Sequence, residues 1–396
     1  MKAAQAWMVA AGACLLGIAA CSGGSGDGNA VTGSASDAAS GTGATTTSTV
    51  QGSAYAITNL VSDGAVPADS VDKDLKNPWG IAFDPLGPTW LADNGTNLST
   101  LYVDLGIKFP ITVSIPAGSS GPALPTGIVY NGSFSEFMIG KAGAIGSAQF
   151  IYSGEGGTIA AWSDLTLGNL DMGAETMVDN GPAGAVYTGL ALAKNGSADF
   201  LYATDFHNAR IDVFDSSFKP ATADGGFVDP ALPAGYAPFG IQAVGDQLYV
   251  TYAPQQGPQN QHEMVGPGLG LVDLFGADGT LVRRVATGGA LNAPWGIAQA
   301  PADFGQFSRD LLIGNFGDGT INAFDPVTGQ FIDSLRDAGG KPLSIPGLWG
   351  IAFGNSLLAV SNWLYFAAGI DDRADGLYGR IVASPAAASG SSSSGG

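Results

Sequence analysis

The sequence contains almost no cysteine and few positive charges. Cys14 and Cys21 are the only cysteines among 396 residues, so the chain beyond residue 21 cannot form a disulfide and must rely on a large core. Lys and Arg number 15 against 34 Asp and Glu, which gives a formal net charge of −19. An acidic chain without a basic stripe repels phosphate backbones, so we expect no nucleic-acid partner.

The sequence also lacks the motifs that mark common active sites. It has no Gly-x-Ser-x-Gly, no phosphate loop, no dinucleotide fingerprint and no His-Glu-x-x-His. Only His207 and His262 are histidines. With Asp205 and Glu263 they are candidates for a transition-metal or acid–base pair, but they belong to different repeat units and nothing in the sequence brings them together.

The first 21 residues have the pattern of an export signal. Lys2 precedes an apolar run from Ala6 to Ala20, which is too short to span a bilayer comfortably, and small residues lead to Cys21. This ending resembles the bacterial lipobox, whose cysteine becomes lipidated; ordinary cleavage near Ala20 is the alternative. We expect a protein exported to the cell envelope, in the outer membrane or periplasm, that contacts the membrane only through lipidated Cys21.

Low-complexity segments flank the predicted folded domain, which spans residues 54–385. Residues 22–53 consist almost entirely of Gly, Ser, Thr, Ala, Asp and Asn. They cannot bury enough apolar surface to fold and are predicted to form a flexible tether. Residues 386–396 form a similar tail. Abundant glycine (61) and few charged residues (12%) favour turn-rich β structure in the domain between them.

One phrase recurs six times within the folded domain. The clearest copies are Asn-Pro-Trp-Gly-Ile-Ala-Phe at 77–83, Ala-Pro-Trp-Gly-Ile-Ala at 293–298 and Gly-Leu-Trp-Gly-Ile-Ala-Phe at 347–353. Intervals of about 47 to 62 residues between copies suit four-stranded blades. The sequence therefore predicts an all-β, six-bladed β-propeller, with a seventh unit possible inside the widest interval. The repeat glycines are Gly80, Gly127, Gly189, Gly240, Gly296 and Gly350.

The last repeat unit is short of one strand. Its predicted second and third strands are Leu357–Ser361 and Leu377–Val382, after which the chain runs out. Tyr55–Val61 lies before the first repeat and has no unit of its own. We therefore predict that Tyr55–Val61 supplies the outer strand of the sixth blade and closes the ring.

The units resemble NHL-type propeller repeats. The best copy is Leu201–Asp205 followed by Ala209–Asp215, in which one strand ends in Asp and the next in Phe-Asp. As a whole, residues 57–382 resemble an uncharacterised bacterial family of exported propellers, through the segments 77–81, 347–355, 364–369 and 375–379. The resemblance implies the propeller fold; it carries no established activity and transfers no catalytic residue.

The residues before the repeat glycines are predicted to line one mouth of the central channel. Four of these six positions are aromatic, which suits a stacking platform for a sugar or another flat ligand; rings wedged between adjacent blades are the alternative. These aromatic residues are Trp79, Phe239, Trp295 and Trp349.

Polar residues after the second strands are predicted on the same face. Carboxylates and amides there can hold a hard cation such as Ca²⁺, or can cap their own turns. Six-bladed lactonases place metal ligands just before the inner-strand glycine, where this chain has Trp, Thr or Phe, and this departure argues against such a site. The predicted polar site residues are Asp93, Asp205, His207, Asn315 and Asn362.

These observations favour a monomeric binding protein of the cell envelope over an enzyme. The expected ligand is a small molecule, a glycan or a protein, and no cofactor is expected. The alternative is a Ca²⁺-dependent hydrolase or lyase that uses carboxylates at the same channel mouth.

Overall fold

The computed structural model describes residues 54–141, 144–164 and 173–384. The predicted signal, Cys21, the tether and the tail lie outside these ranges. Within them, no helix is long and apolar enough to cross a membrane. The helices found there are three single 3-10 turns, Asp104–Gly106, Gly181–Ala183 and Gly305–Phe307.

Six antiparallel sheets form the six predicted blades. The first blade consists of Pro78–Phe83, Thr89–Asp93, Leu98–Val103 and Ile107–Ser114. The second consists of Pro125–Tyr130, Phe150–Gly154, Thr158–Trp162 and Glu175–Asp179. The third consists of Tyr187–Asn195, Ala198–Asp205, Arg210–Phe214 and Pro220–Ala221.

The other three blades repeat this order from the channel outwards. The fourth consists of Tyr236–Val244, Gln247–Pro254, Leu271–Gly276 and Leu281–Thr287. The fifth consists of Pro294–Gln299, Leu311–Asn315, Ile321–Phe324 and Phe331–Ser334. The sixth consists of Leu348–Phe353, Leu364–Ala368, Leu377–Ser384 and the amino-terminal Ala54–Ser62, beside which Ser70–Val71 adds a short parallel strand.

The amino-terminal strand closes the ring as predicted. Ala54–Ser62 pairs antiparallel with Leu377–Ser384, so the last blade combines both ends of the domain. Tyr55 fixes this strand further, since its hydroxyl donates to the carbonyl oxygen of Phe304 (3.0 Å) and its ring stacks on Phe307. The ring is therefore closed by non-covalent contacts between distant parts of the chain.

No seventh blade occupies the described part of the interval between Gly127 and Gly189. The extra length there includes a hairpin of Met138–Lys141 and Ala144–Ser147, which follows the inner strand of the second blade. Phe137 and Ile139 of this segment join the core between the second and third blades. The hairpin therefore lengthens the connection between the first two strands of the second blade without changing the number of blades.

One strand of the prediction was wrong. Residues 357–361 form a loop, and the second strand of the sixth blade is Leu364–Ala368. The apolar run at 357–360 resembled a strand, yet Leu357 is 76% exposed. The later segment forms the strand because all five of its residues are buried between neighbouring blades.

The core lies mainly between blades. Apolar clusters fill the six junctions; the junction of the first two blades, for example, contains Trp90 stacked on Phe150 at 3.9 Å. A further cluster of aromatic residues lies at the channel. Large buried area between repeats supplies the stability that the absence of disulfides requires.

Candidate functional site

Every inner strand has a β-bulge at the repeat phrase. The pairing register with the second strand shifts around the residue that precedes each repeat glycine. A bulge re-aims the side chain beside it. The side chains before the glycines, four of them aromatic, are thereby brought together at one mouth of the channel.

These four aromatic side chains pack on one another and form what we call the aromatic plug: Trp79, Phe239, Trp295 and Trp349. The rings of Trp79 and Trp349 stack with centroids 3.5 Å apart, and Trp295 meets both edge-on at 5.8 and 5.9 Å. Phe239 lies 5.9 Å from Trp349. None is more than 9% exposed. The plug fills the mouth, so a flat ligand can stack on these rings only after the surrounding loops move.

Hydrogen bonds hold two of the three indoles. Trp349 Nε1 donates to Asn77 Oδ1 (3.0 Å), and Trp295 Nε1 donates to the carbonyl oxygen of Thr188 (2.8 Å). Trp79 Nε1 is buried without a hydrogen-bond partner among the described residues. The plug is thus fixed by packing together with specific polar contacts.

An ion pair covers the plug from outside. Arg373, in the loop after the second strand of the sixth blade, lies 4.7 Å from the ring centroid of Phe316 and 5.3 Å from that of Trp349. It pairs with Glu263, which belongs to the long loop of the fourth blade. Burial raises the pKa of Glu263, and the positive charge of Arg373 opposes this rise. The two loops therefore close the mouth together.

Three predicted polar residues hold turns on this face. Asp205 Oδ1 accepts the backbone N–H of Val186 (3.1 Å), and Asn315 Oδ1 accepts that of Asn292 (3.1 Å). Asp93 Oδ2 accepts the N–H of Thr100 (2.9 Å). Burial raises the pKa of Asp93 and of Asp205. The contacts of Asp205 and Asn315 join the end of a second strand to the segment before the inner strand of the same blade, and Asp205 also caps its own turn by accepting the N–H of Asn208 (3.3 Å).

His207 and Asn362 occupy different faces. His207 Nδ1 donates to the carbonyl oxygen of Gln259 (2.9 Å), in the same long loop as Glu263. Asn362 lies before the second strand of its blade, so it belongs to the opposite face, where its Nδ2 donates to Asp303 Oδ2 (3.0 Å). Its predicted position at the plugged mouth was wrong because the strand itself was misplaced.

No metal cluster is formed within the described ranges. They contain no group of three or more His, Cys, Asp or Glu side chains that could hold an ion. Asp93 and Asp205 instead accept hydrogen bonds from backbone N–H groups, and Glu263 pairs with Arg373.

The opposite mouth of the channel is open. A cavity of about 460 Å³, which we call the funnel, is lined by residues from all six inner strands. Its lining residues are mainly apolar by type and include Phe83, Tyr130, Leu192, Val244 and Phe353, while polar atoms contribute almost as much of the exposed wall as apolar atoms do. Gln242, Gln299 and Asn355 add polar groups. The volume of the funnel lies in the range of small-molecule sites.

The funnel narrows towards the aromatic plug. A second cavity of about 40 Å³ lies deeper in the channel, between repeat glycines and Trp295. The branched residues that follow the repeat glycines surround it, and we call them the aliphatic ring: Ile81, Ile128, Leu190, Ile241, Ile297 and Ile351. Because the buried plug lies beyond this constriction, the funnel is a blind cavity.

Sequence reasoning missed the funnel, although a signal was present. Every repeat glycine is followed by Ile or Leu. In three repeats, Phe or Tyr stands at the third position after the glycine. This pattern also fits ordinary blade packing. Only the closed ring brings six such positions around one axis, where they line a cavity as well as a core.

The fold and its six-fold channel define the chain as a six-bladed β-propeller. A structural genomics protein of unknown function from Bacteroides thetaiotaomicron superposes with a TM-score of 0.51 at 12% identity, over 84% of this chain and 76% of that one. Virginiamycin B lyase from Staphylococcus aureus gives 0.46 at 16% identity, over 83% and 99%. At 12% identity, the likeness to the Bacteroides protein shows the fold alone. No family model matches the chain.

The chain belongs to the family of the uncharacterized proteins R648 and L690 of Acanthamoeba polyphaga mimivirus. It is 33% identical to R648 over 334 residues, which cover 83% of this chain and 80% of the relative. L690 is also 33% identical, with 86% of its length covered. These relatives are viral, whereas the sequence resemblance pointed to a bacterial family.

Proposed function

We propose that the protein is a ligand-binding propeller of the cell envelope that takes an apolar small molecule into the funnel. The observation that carries this proposal is the funnel itself, about 460 Å³ in volume and lined by all six inner strands. Pockets that bind small molecules measure about 300–1,000 Å³ and are mostly apolar. Paired strands form the walls, so the site needs little ordering when a ligand enters.

The funnel suits an apolar ligand better than the plugged mouth suits a sugar. Glycan binding on aromatic rings needs an exposed ring face. The rings of Trp79, Trp349 and Phe239 are no more than 1% exposed and lie behind the Glu263–Arg373 pair. The funnel offers its apolar surface without any such rearrangement.

Displacement of the neutral dye Nile red by a library of small apolar molecules tests this function. Val244→Trp and Leu192→Trp fill the funnel from two different blades and should weaken dye and ligand binding at least tenfold. Val282→Trp is the matched control, since Val282 is 50% exposed on an outer strand. Full binding by both funnel variants would contradict the proposal, provided that their thermal unfolding matches that of the control.

The envelope part of the proposal rests on Cys21 and the apolar segment before it. Metabolic labelling with radioactive palmitate should mark the full-length protein in a bacterial host, and Cys21→Ser should abolish the label. Export of an unlabelled wild-type protein would favour ordinary signal cleavage instead.

A Ca²⁺-dependent hydrolase or lyase remains the second candidate, and one atom favours it. Asp93 Oδ1 is buried without a hydrogen-bond partner among the described residues, as expected for an oxygen that awaits a cation. Calcium should then raise the unfolding temperature, a chelator should reverse the rise, and Asp93→Asn should remove it. Equal unfolding temperatures with and without calcium would leave this candidate unsupported.

A further inference from the structure

We propose that the ligand of the funnel is a cationic amphiphile, an apolar molecule that carries one positively charged nitrogen at the end that stays outside. This inference rests on the proposed function and adds the chemical class of the ligand. The apolar part would enter the blind cavity, and the cation would remain at the acidic rim.

The shape of the cavity determines which part of the ligand enters. The funnel narrows to the constriction of about 40 Å³ inside the aliphatic ring, and the aromatic plug lies beyond it. A molecule therefore enters with one end and cannot pass through. Side chains of the aliphatic ring surround this constriction, so an apolar end that reaches it packs against them, although polar atoms also face the cavity.

Apolar side chains extend the wall outside the cavity. Leu86 and Leu357, in the turns after the inner strands of the first and sixth blades, are 72% and 76% exposed. The backbone N–H of Leu357 donates to the carbonyl oxygen of Pro85 (3.2 Å), a residue that lines the funnel. The two turns thus form one apolar edge, and a longer alkyl or aromatic body can continue along it.

Two carboxylates lie beside the lining residue Tyr130. Burial raises the pKa of Tyr130, and the negative charges of Asp84 and Asp164 raise it further. Asp84 stands between Phe83 and Pro85, which both line the funnel. No basic group contributes to the pKa of Tyr130 or of Asp164. Asp84 and Asp164 therefore place two carboxyl groups at this part of the rim.

The whole face around the funnel is acidic in the described residues. Turns after inner strands and turns after third strands open on this face, and most of them carry an aspartate. Of the basic residues in these turns and strand ends, Lys194 is already paired with Asp199. The aspartates are Asp84, Asp164, Asp215, Asp246, Asp278, Asp303, Asp310 and Asp325, and the basic residues beside Lys194 are Lys219, Arg309 and Arg283, which donates to the carbonyl oxygen of Pro326 and helps to lower the pKa of Asp325.

Charge complementarity selects among apolar ligands. A carboxylate head group such as that of a fatty acid would meet like charge at this rim, whereas an ammonium group would meet opposite charge. A basic peptide would also be attracted. A cavity of about 460 Å³ with one narrow end matches a single small molecule better than a folded segment.

Three probes with eight-carbon chains test the inference on the full protein: octyltrimethylammonium, octanol and octanoate, each titrated by calorimetry at low salt. We expect the cation to bind about 3- to 10-fold more tightly than octanol, and octanoate more weakly than octanol. In 0.5 M NaCl the three affinities should converge, because salt screens the rim charges.

The variant Asp84→Asn/Asp164→Asn should bring the affinity for the cation down to that for octanol and leave octanol binding unchanged. Asp278→Asn, on the same face of the fourth blade, is the matched control and should keep the preference. Equal affinities for cation and octanol in the wild type, or a preference that survives the double substitution, would overturn the inference while the funnel function stands.

Two further outcomes distinguish a failure of the proposed funnel function from a wrong ligand class. If none of the three probes binds and Val244→Trp changes nothing, the proposed function itself fails. If a lysine-rich peptide binds and competes with Nile red while no alkyl probe does, the acidic face recognises a basic segment, and the amphiphile is excluded.

Discussion

The carbonyl oxygen of Trp79 lies 2.5 Å from the position that a β-carbon on Gly350 would occupy, although these residues belong to the first and the last inner strand. The same relation links Gly80 to the carbonyl oxygen of Thr126 (2.6 Å) and Gly296 to that of Trp349 (2.5 Å). Inner strands of neighbouring blades therefore approach so closely at the repeat glycine that no side chain fits. The recurring glycine sets the diameter of the channel.

Gly350→Ala should destabilise the ring. The added methyl group would overlap backbone, which cannot move aside as the end of a side chain can, so we expect a loss of about 1–3 kcal/mol in the free energy of unfolding. Urea denaturation followed by tryptophan fluorescence measures it. Gly132→Ala is the control, because the nearest atom to its β-carbon would be Tyr130 Cε1 at 3.7 Å. Equal stability of the two variants would contradict the close-packed channel.

Tyr55→Ala should weaken ring closure. The substitution removes the stacking on Phe307 and the hydrogen bond to Phe304, in a residue that is 2% exposed. Loss of a buried aromatic side chain costs about 3–5 kcal/mol. Thermal unfolding of the variant measures the effect, with Phe134→Ala as control, since Phe134 is 87% exposed. An unchanged Tyr55→Ala protein would mean that the amino-terminal strand contributes little to closure.

The ring could be predicted from the sequence because its signals are local and repeated. The phrase around Gly80 recurs in every blade, and the unpaired strand at Tyr55 left one arrangement that completes the sixth sheet. The strand at Leu364 was missed because Leu357 and its neighbours form an apolar run that periodicity alone cannot distinguish from a strand. Burial between blades, which decides this case, depends on the assembled ring.

The site was harder to predict because solvent exposure depends on side chains from distant segments. The residue type at Trp349 indicates an aromatic mouth, but its contact with Phe316 at 4.0 Å and the cover of Arg373 come from other segments of the chain. Two functional interpretations of one sequence pattern, an exposed platform and a packed plug, differ only in such contacts. Likewise, the six apolar residues after the glycines line a cavity only once the ring is closed.

Asp93→Asn should change how stability depends on pH. The unfolded chain ionises this carboxyl near a pKa of about 3.9, whereas burial raises its pKa in the folded protein. Between these two values the folded state binds more protons, so the free energy of unfolding falls as pH rises. The variant lacks this group and should gain stability at neutral pH, by about 1.4 kcal/mol for each unit of the rise.

Urea unfolding from pH 4 to pH 8 checks the sign of this change in the pH dependence of the free energy of unfolding. Asp325→Asn serves as the opposite case, because backbone N–H groups of Thr328 and Val327 lower the pKa of Asp325. That carboxylate stabilises the fold above its ordinary pKa and loses the effect as pH falls through its lowered value. The substitution at 325 should therefore reduce stability at neutral pH. A steeper pH dependence in Asp93→Asn than in the wild type would contradict the buried, protonated carboxyl.

Arg373→Ala should open the plugged mouth. The guanidinium group covers Trp349 and Phe316, and its partner Glu263 would be left buried without a counter-charge. Removing one member of a buried ion pair costs about 3–5 kcal/mol, and Glu263 would then take up a proton, since burial already raises its pKa. We therefore expect the two loops to separate and water to reach the indoles of the plug.

Acrylamide quenching of tryptophan fluorescence measures this opening. The quenching constant of Arg373→Ala should rise above that of the wild type. Arg336→Ala should leave it unchanged, because the guanidinium group of Arg336 contacts Asp333 and the carbonyl oxygen of Gly340, neither of which belongs to the plug. Glu263→Gln should have a smaller effect than Arg373→Ala, since the arginine stays over the rings. If quenching is the same in all four proteins, packing among Trp79, Trp295 and Trp349 closes the mouth without the ion pair.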